Sequence, residues 1–241
     1  MKILGFDTAT RATAVALLDT DADEAIERRD DPEPGARPRH TTRLMALVVD
    51  VLRAADADWP AVDRIAVGVG PGTFTGLRIG VATAHALARA RNLPLVGVST
   101  LHSLACGAGA ETDESVDAVM AVIDARRGEV FAAGWAAGEV TRAGAPPVLG
   151  PLALAPEALA EAMAQEGHTW VAVGDGAVEF RAAFEPSRAR IPERDSECNR
   201  VSAIEHCRLA VGLALGVPEG VQPEYLRLPD AEITLRAARQ P

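Results

Sequence analysis

Cysteine is sparse: Cys106, Cys198 and Cys207 are the three in 241 residues, with no CxxC pair and no regular spacing. An odd, scattered set excludes a disulfide framework and points to reduced thiols in a cytoplasm. No apolar run reaches the ~18 residues that a membrane span needs. The opening MKILGFDTAT enters a strand-like pattern directly, without the apolar stretch of a signal peptide. Positive charge is also short. Lys and Arg number 24 against 34 Asp and Glu, a formal net charge of −10. As a whole the molecule should repel nucleic acid, whose hold on proteins depends on neutralised phosphates. Arg89 and Arg91 close a helix, where they complement its dipole. What remains, 48% hydrophobic and 24% charged residues, suits one large globular domain or two small ones.

The pattern is that of an α/β protein. Strands are expected at 2–8 and 12–19, joined by the turn Ala9-Thr10-Arg11, and a third near 24–29. After the polar loop 30–38 come a helix over 41–55, a strand over 64–69, a helix over 73–91, a strand over 95–98 and a helix opening near Ser99. The small, polar, acidic stretch 107–116 separates two halves, 1–108 and 109–241. Aligning Asp7 with Asp124 sets ILGFDTATRATAVALL against VMAVIDARRGEVFAAG, so each half begins strand, polar turn, strand, with an aspartate ending the first strand. Helices over 156–166, 177–184 and 200–215 and a strand over 169–174 complete the second half. Successive related modules of antiparallel strands followed by helix–strand alternation imply two related subdomains.

Residues 68–80, GVGPGTFTGLRIG, turn from a strand into a helix. No Gly-Lys-Ser/Thr follows at P-loop spacing, and Thr73 stands where a dinucleotide fingerprint needs its third glycine. Gly70-Pro71-Gly72 can present backbone N–H groups to an anion, or Thr73 or Thr75 can cap the helix with no ligand. Along that helix Gly76, Gly80 and Ala84 recur every four residues. Glycine in a helix costs on the order of 1 kcal/mol relative to alanine, which calls for close approach by another backbone. Helix 41–55 contains LMALVVDVL, apolar almost all round, and so is expected to bury a second face, against a partner subunit or, in the other reading, against a third layer of the same chain. An interface is therefore expected at Leu44, Leu47, Val48, Val51, Gly76, Ile79, Gly80, Thr83, Ala84 and Leu87.

Other constellations are weaker. His102 and Cys106 lie four apart on one helix, but two ligands do not make a metal site. Cys198, His206 and Cys207 read as packing. Ser99 with His102 lacks a nucleophile elbow and reads as a helix cap. Asp7 and Asp124 either share Mg²⁺ beside a phosphate or each cap a local turn through the backbone.

ILGFDTATRATAVALLD, GPGTFTGLRIGVATAHALA with PLVGVSTLHSLA, IDARRGEVFAAGW and PEYLR, in this order over nearly the whole chain, resemble the bacterial TsaB (YeaZ) family. The resemblance implies an actin-like ATPase fold (ASKHA, ribonuclease H-like), with two subdomains each carrying a mixed sheet flanked by helices. It implies a cytoplasmic, non-catalytic subunit that heterodimerises with TsaD in making N6-threonylcarbamoyladenosine at position 37 of ANN-reading tRNAs. TsaE is a further partner, tRNA is met mainly through the complex, no membrane is involved, and the chain alone is expected to form a homodimer. In the paralogue TsaD a pair of histidines binds the catalytic metal; Thr100 and Leu104 occupy their places here, and neither replaces imidazole. The superfamily also implies a nucleotide cleft lined by Asp7, Gly70, Gly72, Asp124 and Gly174 with Asp175 and Gly176. No cofactor is firmly implied for this chain, with ATP or ADP and Mg²⁺ expected only at the partner complex. The alternative is an actin-like ATPase or small-molecule kinase that uses this cleft.

Overall fold

The computed structural model describes residues 1–33 and 35–227; Pro34 of the loop 30–38 and the end of the second half, 228–241, lie outside the described residues. The first half contains strands β1 (Lys2–Asp7), β2 (Thr13–Asp19) and β3 (Glu24–Asp30), helix α1 (His40–Ala54), strand β4 (Arg64–Gly70), helix α2 (Phe74–Arg91), strand β5 (Leu95–Ser99) and helix α3 (Thr100–Cys106). The second half contains β6 (Ala118–Arg126), β7 (Glu129–Ala136), β8 (Leu149–Leu154), α4 (Pro156–Glu166), β9 (Trp170–Val173), α5 (Asp175–Glu179) and α6 (Ala203–Gly212).

The strands form two mixed sheets in the same order, β3-β2-β1-β4-β5 and β8-β7-β6-β9. In each, the first two strands are antiparallel and the first pairs in parallel with the strand that follows a helix. A lone parallel bridge between Val171 and Arg190 stands on the far side of β9, where the first sheet has its fifth strand. The repeat seen in the sequence is thus a repeat of topology.

Alternation along the strands decides the layers, because successive side chains point to opposite faces. Leu4, Phe6, Val15 and Leu17 meet α1 and α2 on the outer face of the first sheet. Ile3, Ala14, Ala16 and Leu18 point inward, into a central core shared with Val119, Ala121 and Ile123 of the second sheet and with residues of α3 and α6. Met120 and Val122 face outward onto α4 and α5. The first sheet is built from residues before 108 and the second from residues after 109, yet α6 packs on β1 and β2 of the first.

Two second-half expectations need correction, and one strand was not expected. The helix placed at 200–215 is α6, shorter at both ends: the Ser202 side chain accepts from Ile204 N–H and caps its start, and it ends at Gly212. The helix placed at 177–184 is α5, beginning at Asp175, followed by a 3-10 turn over 181–187 that includes Pro186, which has no N–H for a regular helix. Strand β8 was not anticipated; it is an edge strand, where its Pro151 is tolerated.

Candidate functional site

Asp7 ends β1 between the two sheets and is almost fully buried. Its Oδ1 accepts the N–H of Ala9 at 2.7 Å, closing a turn through its own backbone. Its Oδ2 accepts the Thr100 hydroxyl at 2.8 Å and lies 3.1 Å from His206 Nε2, an ion-pair distance without hydrogen-bond geometry. His206 belongs to α6 and is fully buried. Its Nδ1 is 2.7 Å from Ser103 Oγ and 2.9 Å from Ser202 O, while Ser103 donates to that same carbonyl at 2.9 Å. Burial alone would raise the Asp7 pKa and lower that of His206. The contact between them more than offsets this, so Asp7 is held below and His206 above its ordinary value. Each shift favours the charged form of its group, carboxylate for Asp7 and imidazolium for His206. β4 makes room for it at Gly68, where a Cβ would collide with the Asp7 carboxylate.

The glycine turn is closed by the chain itself. Gly70 has φ +115°, and a Cβ there would stand 2.8 Å from Glu224 O. Gly72 lies against Ala9 O, and Thr73 N–H donates to that carbonyl at 2.7 Å. Carbonyl oxygens on both sides of the turn repel an anion. Farther along α2, Gly76 abuts Thr8 O and Gly80 abuts the Thr8 hydroxyl, which donates to Gly76 O at 2.7 Å. The close approach that the Gly76–Gly80–Ala84 stripe required is therefore made by the chain's own β1–β2 turn.

Asp124 repeats the Asp7 turn in the second sheet. Its Oδ1 accepts Arg126 N–H at 2.7 Å, and the Arg126 guanidinium donates to Oδ2 at 2.7 Å. Asp175 Oδ1 accepts Asp124 N–H at 3.0 Å, and Gly174, with φ +112°, packs against Val122 O and receives the Asn199 side-chain oxygen on its N–H at 3.1 Å. Arg11, Asp124, Arg126, Asp175, Arg194 and Arg200 line a cavity of about 480 Å³ here. Its cations are engaged within the protein: Arg11 donates to Ala36 O at 2.7 Å, and Arg200 to Glu197 at 2.9 Å. The structure thus brings Asp124 and Asp175 to one cavity, sets Gly174 against Val122 O, and places Asp7, Gly70 and Gly72 in closed contacts of their own. Neither aspartate offers a free pair of oxygens, so these residues do not fit a shared Mg²⁺ or nucleotide phosphate.

Of the expected interface, Leu44, Leu47, Val48 and Val51 lie buried in the outer core of their own chain, and so do Gly76, Gly80 and Ala84. The sheet beneath α1 and the Thr8 turn beneath α2 cover them. Ile79, Thr83 and Leu87 are half-buried. The outward apolar surface of α1 is Met45, 42% exposed, and Val49, 45% exposed. The other constellations are structural. His102 Nε2 at 2.7 Å and Cys106 Sγ at 3.1 Å both meet Val140 O, and burial pushes the Cys106 thiol up to about 12. Ser99 caps α3 by accepting His102 N–H at 3.3 Å. Cys207 lies against Gly5, away from Cys198. Sequence reading missed the pairing of His206 with Asp7 and the closure of Gly70 by Glu224, since neither leaves a local spacing signal.

Comparison with known proteins bears on this site. The family model described as TsaD, tRNA N6-adenosine threonylcarbamoyltransferase, matches residues 32–179. The tRNA threonylcarbamoyladenosine biosynthesis protein TsaB of Escherichia coli (strain K12) is 37% identical over 186 residues, 73% of this chain and 72% of that protein. A crystal structure of an uncharacterised Pseudomonas aeruginosa protein with similarity to peptidase YeaZ superposes with a TM-score of 0.75 at 30% identity, covering 94% of this chain and 99% of that one. The ROK hexokinase of Thermus thermophilus superposes with a TM-score of 0.51 at 13% identity, over 88% of this chain and 99% of that one, a likeness of fold alone. With duplicated sheets, a self-closed glycine turn and relatives of this identity and coverage, the chain belongs to the TsaB (YeaZ) family and has the actin-like ATPase fold.

Proposed function

We propose that the chain serves tRNA threonylcarbamoyladenosine biosynthesis as a non-catalytic scaffold and activator that heterodimerises with TsaD. TsaE docks on the resulting complex, and tRNA is bound mainly through it, as the −10 net charge of this chain favours. The observation that carries the reading is the state of Asp7. A carboxylate fully engaged by Thr100, Ala9 and His206 is a structural element, and the cleft above it has lost the oxygens that a phosphate-bound cation would use. Family membership supplies the pathway. The partner contact is assigned to the outward strip of α1 and α2, centred on Met45 and Val49 with Ile79, Thr83 and Leu87 beside it, and the same strip joins two copies when the chain is alone. The setting is the cytoplasm.

The test is co-purification with TsaD from the native host. Met45→Asp with Val49→Asp abolishes the complex and tRNA modification while the melting temperature is kept; a double variant that still co-elutes with TsaD overturns the assignment. The alternative, an ATPase or small-molecule kinase in the cleft, draws support from fold likeness alone. Micromolar binding of Mg·ATP with turnover by the purified chain establishes it instead.

A further inference from the structure

A second cavity, of about 260 Å³, lies on the seam between the halves. Val98, Leu101 and His102 wall it from the first half, Trp135 and Pro151 from the second, and the segment 221–227 closes one side with Glu224 and Leu226. That segment is fixed at several points. His85 Nε2 meets Val221 O at 2.8 Å, Glu224 N–H donates to Val69 O at 2.7 Å, the Tyr225 and Phe74 rings lie 5.2 Å apart, and Arg227 pairs with Glu129 at 2.8 Å.

The lining combines a large apolar surface with one unanswered charge. Trp135 is stacked against His102, ring centroids 4.7 Å apart, and its indole N–H is spent on Ala145 O at 3.0 Å. His102 is spent on Val140 O, and burial holds its pKa below the ordinary value, so it stays neutral. The Ser99 hydroxyl, also in the wall, keeps its proton to offer. Glu224 lines the cavity while itself exposed to solvent, so it stands at the mouth, and among the described residues no hydrogen bond or ion pair answers its carboxylate. An anionic ligand would meet a like charge at the mouth, and a purely apolar one would gain nothing from it. A cation beside an aromatic wall and a carboxylate gains from both.

We propose that the Trp135–Glu224 cavity binds a small organic ammonium with an aromatic or branched-alkyl body, the ammonium at Glu224 and the body between Trp135, Leu101 and Leu226. Such a ligand touches both halves and the closing segment at once. The site is separate from the Asp7 cleft, and its existence does not depend on the scaffold reading.

The experiment titrates ¹⁵N-labelled full-length protein at low salt with phenethylamine, its neutral analogue 2-phenylethanol and the anionic 3-phenylpropionate, following the Trp135 indole N–H resonance. Phenethylamine shifts it saturably and binds about tenfold tighter than 2-phenylethanol, the order expected of one charge-assisted contact. 3-Phenylpropionate does not bind. Glu224→Gln removes the preference for amine over alcohol, and Leu226→Trp, which fills the cavity, removes both responses. No saturable shift with phenethylamine up to roughly 10 mM, the weak limit of specific small-molecule affinity, overturns the proposal. So does an amine preference that survives Glu224→Gln, or equal binding of amine and alcohol, which would mark a plain apolar socket of the kind a protein side chain fills.

Discussion

His206 Nε2 sits 3.1 Å from Asp7 Oδ2, joining the last long helix to the first strand inside a space that solvent does not reach. Two charges there are tolerated because each has further partners: Thr100 and the Ala9 amide for the carboxylate, Ser103 and the Ser202 carbonyl for the imidazolium. The pair fastens α6 to the sheet of the other half.

Removing one member leaves an uncompensated buried charge. His206→Gln and Asp7→Asn should each cost about 3–5 kcal/mol of unfolding free energy in denaturant titrations, while the double variant, which removes both charges, recovers much of that loss. Additive losses in the double variant would show that the charges do not interact.

The same pair sets a pH profile. The raised pKa of His206 makes its contribution complete below the unfolded value of about 6.5, and it is lost as pH rises through the folded value. The lowered pKa of Asp7 makes its contribution complete above the unfolded carboxylate value, and it is lost as pH falls through the folded one. Stability measured against pH should therefore fall as pH rises above about 6.5 in the parent protein, and that fall should flatten in His206→Gln.

Gly76 and Gly80 test the packing of α2 on the Thr8 turn. A methyl at either position meets an oxygen of Thr8, so Gly76→Ala and Gly80→Ala should destabilise by about 1–3 kcal/mol despite the better helix propensity of alanine. An unchanged or raised melting temperature would place that contact elsewhere.

Helix α1 separates two kinds of apolar residue. Leu47→Ala and Val48→Ala remove buried core atoms; the leucine change should cost about 2–5 kcal/mol and the valine change somewhat less. Met45→Ser and Val49→Ser, on the outward side, should stay within about 0.5 kcal/mol. Urea denaturation of the four variants checks both statements.

The local half of this structure could be read from residue order. Strands β1, β2 and β4 to β7 and helices α1, α2 and α4 follow from apolar periodicity and turn residues, and the Asp7–Asp124 correspondence reappears as the same backbone-closing turn in each sheet, at 2.7 Å in both. β8 carries a Gly-Pro pair, which is a loop signal until an edge position makes it tolerable. The apolar all-round look of α1 did not tell which residues its own chain covers, for a related reason. Periodicity tells how many residues are greasy, whereas the breadth of the sheet beneath decides how many of them it covers; Leu44, Leu47, Val48 and Val51 are covered, and Met45 and Val49 are not.

Residue order by itself determined two α/β halves, an aspartate near the end of each first strand, and a glycine stripe that demanded a close neighbour. Tertiary structure alone decided which neighbour that was, and which base would neutralise Asp7. The Thr8 turn and His206 reach their places through the fold, and contacts between segments far apart in a chain are selected by packing and desolvation, for which local spacing carries no code.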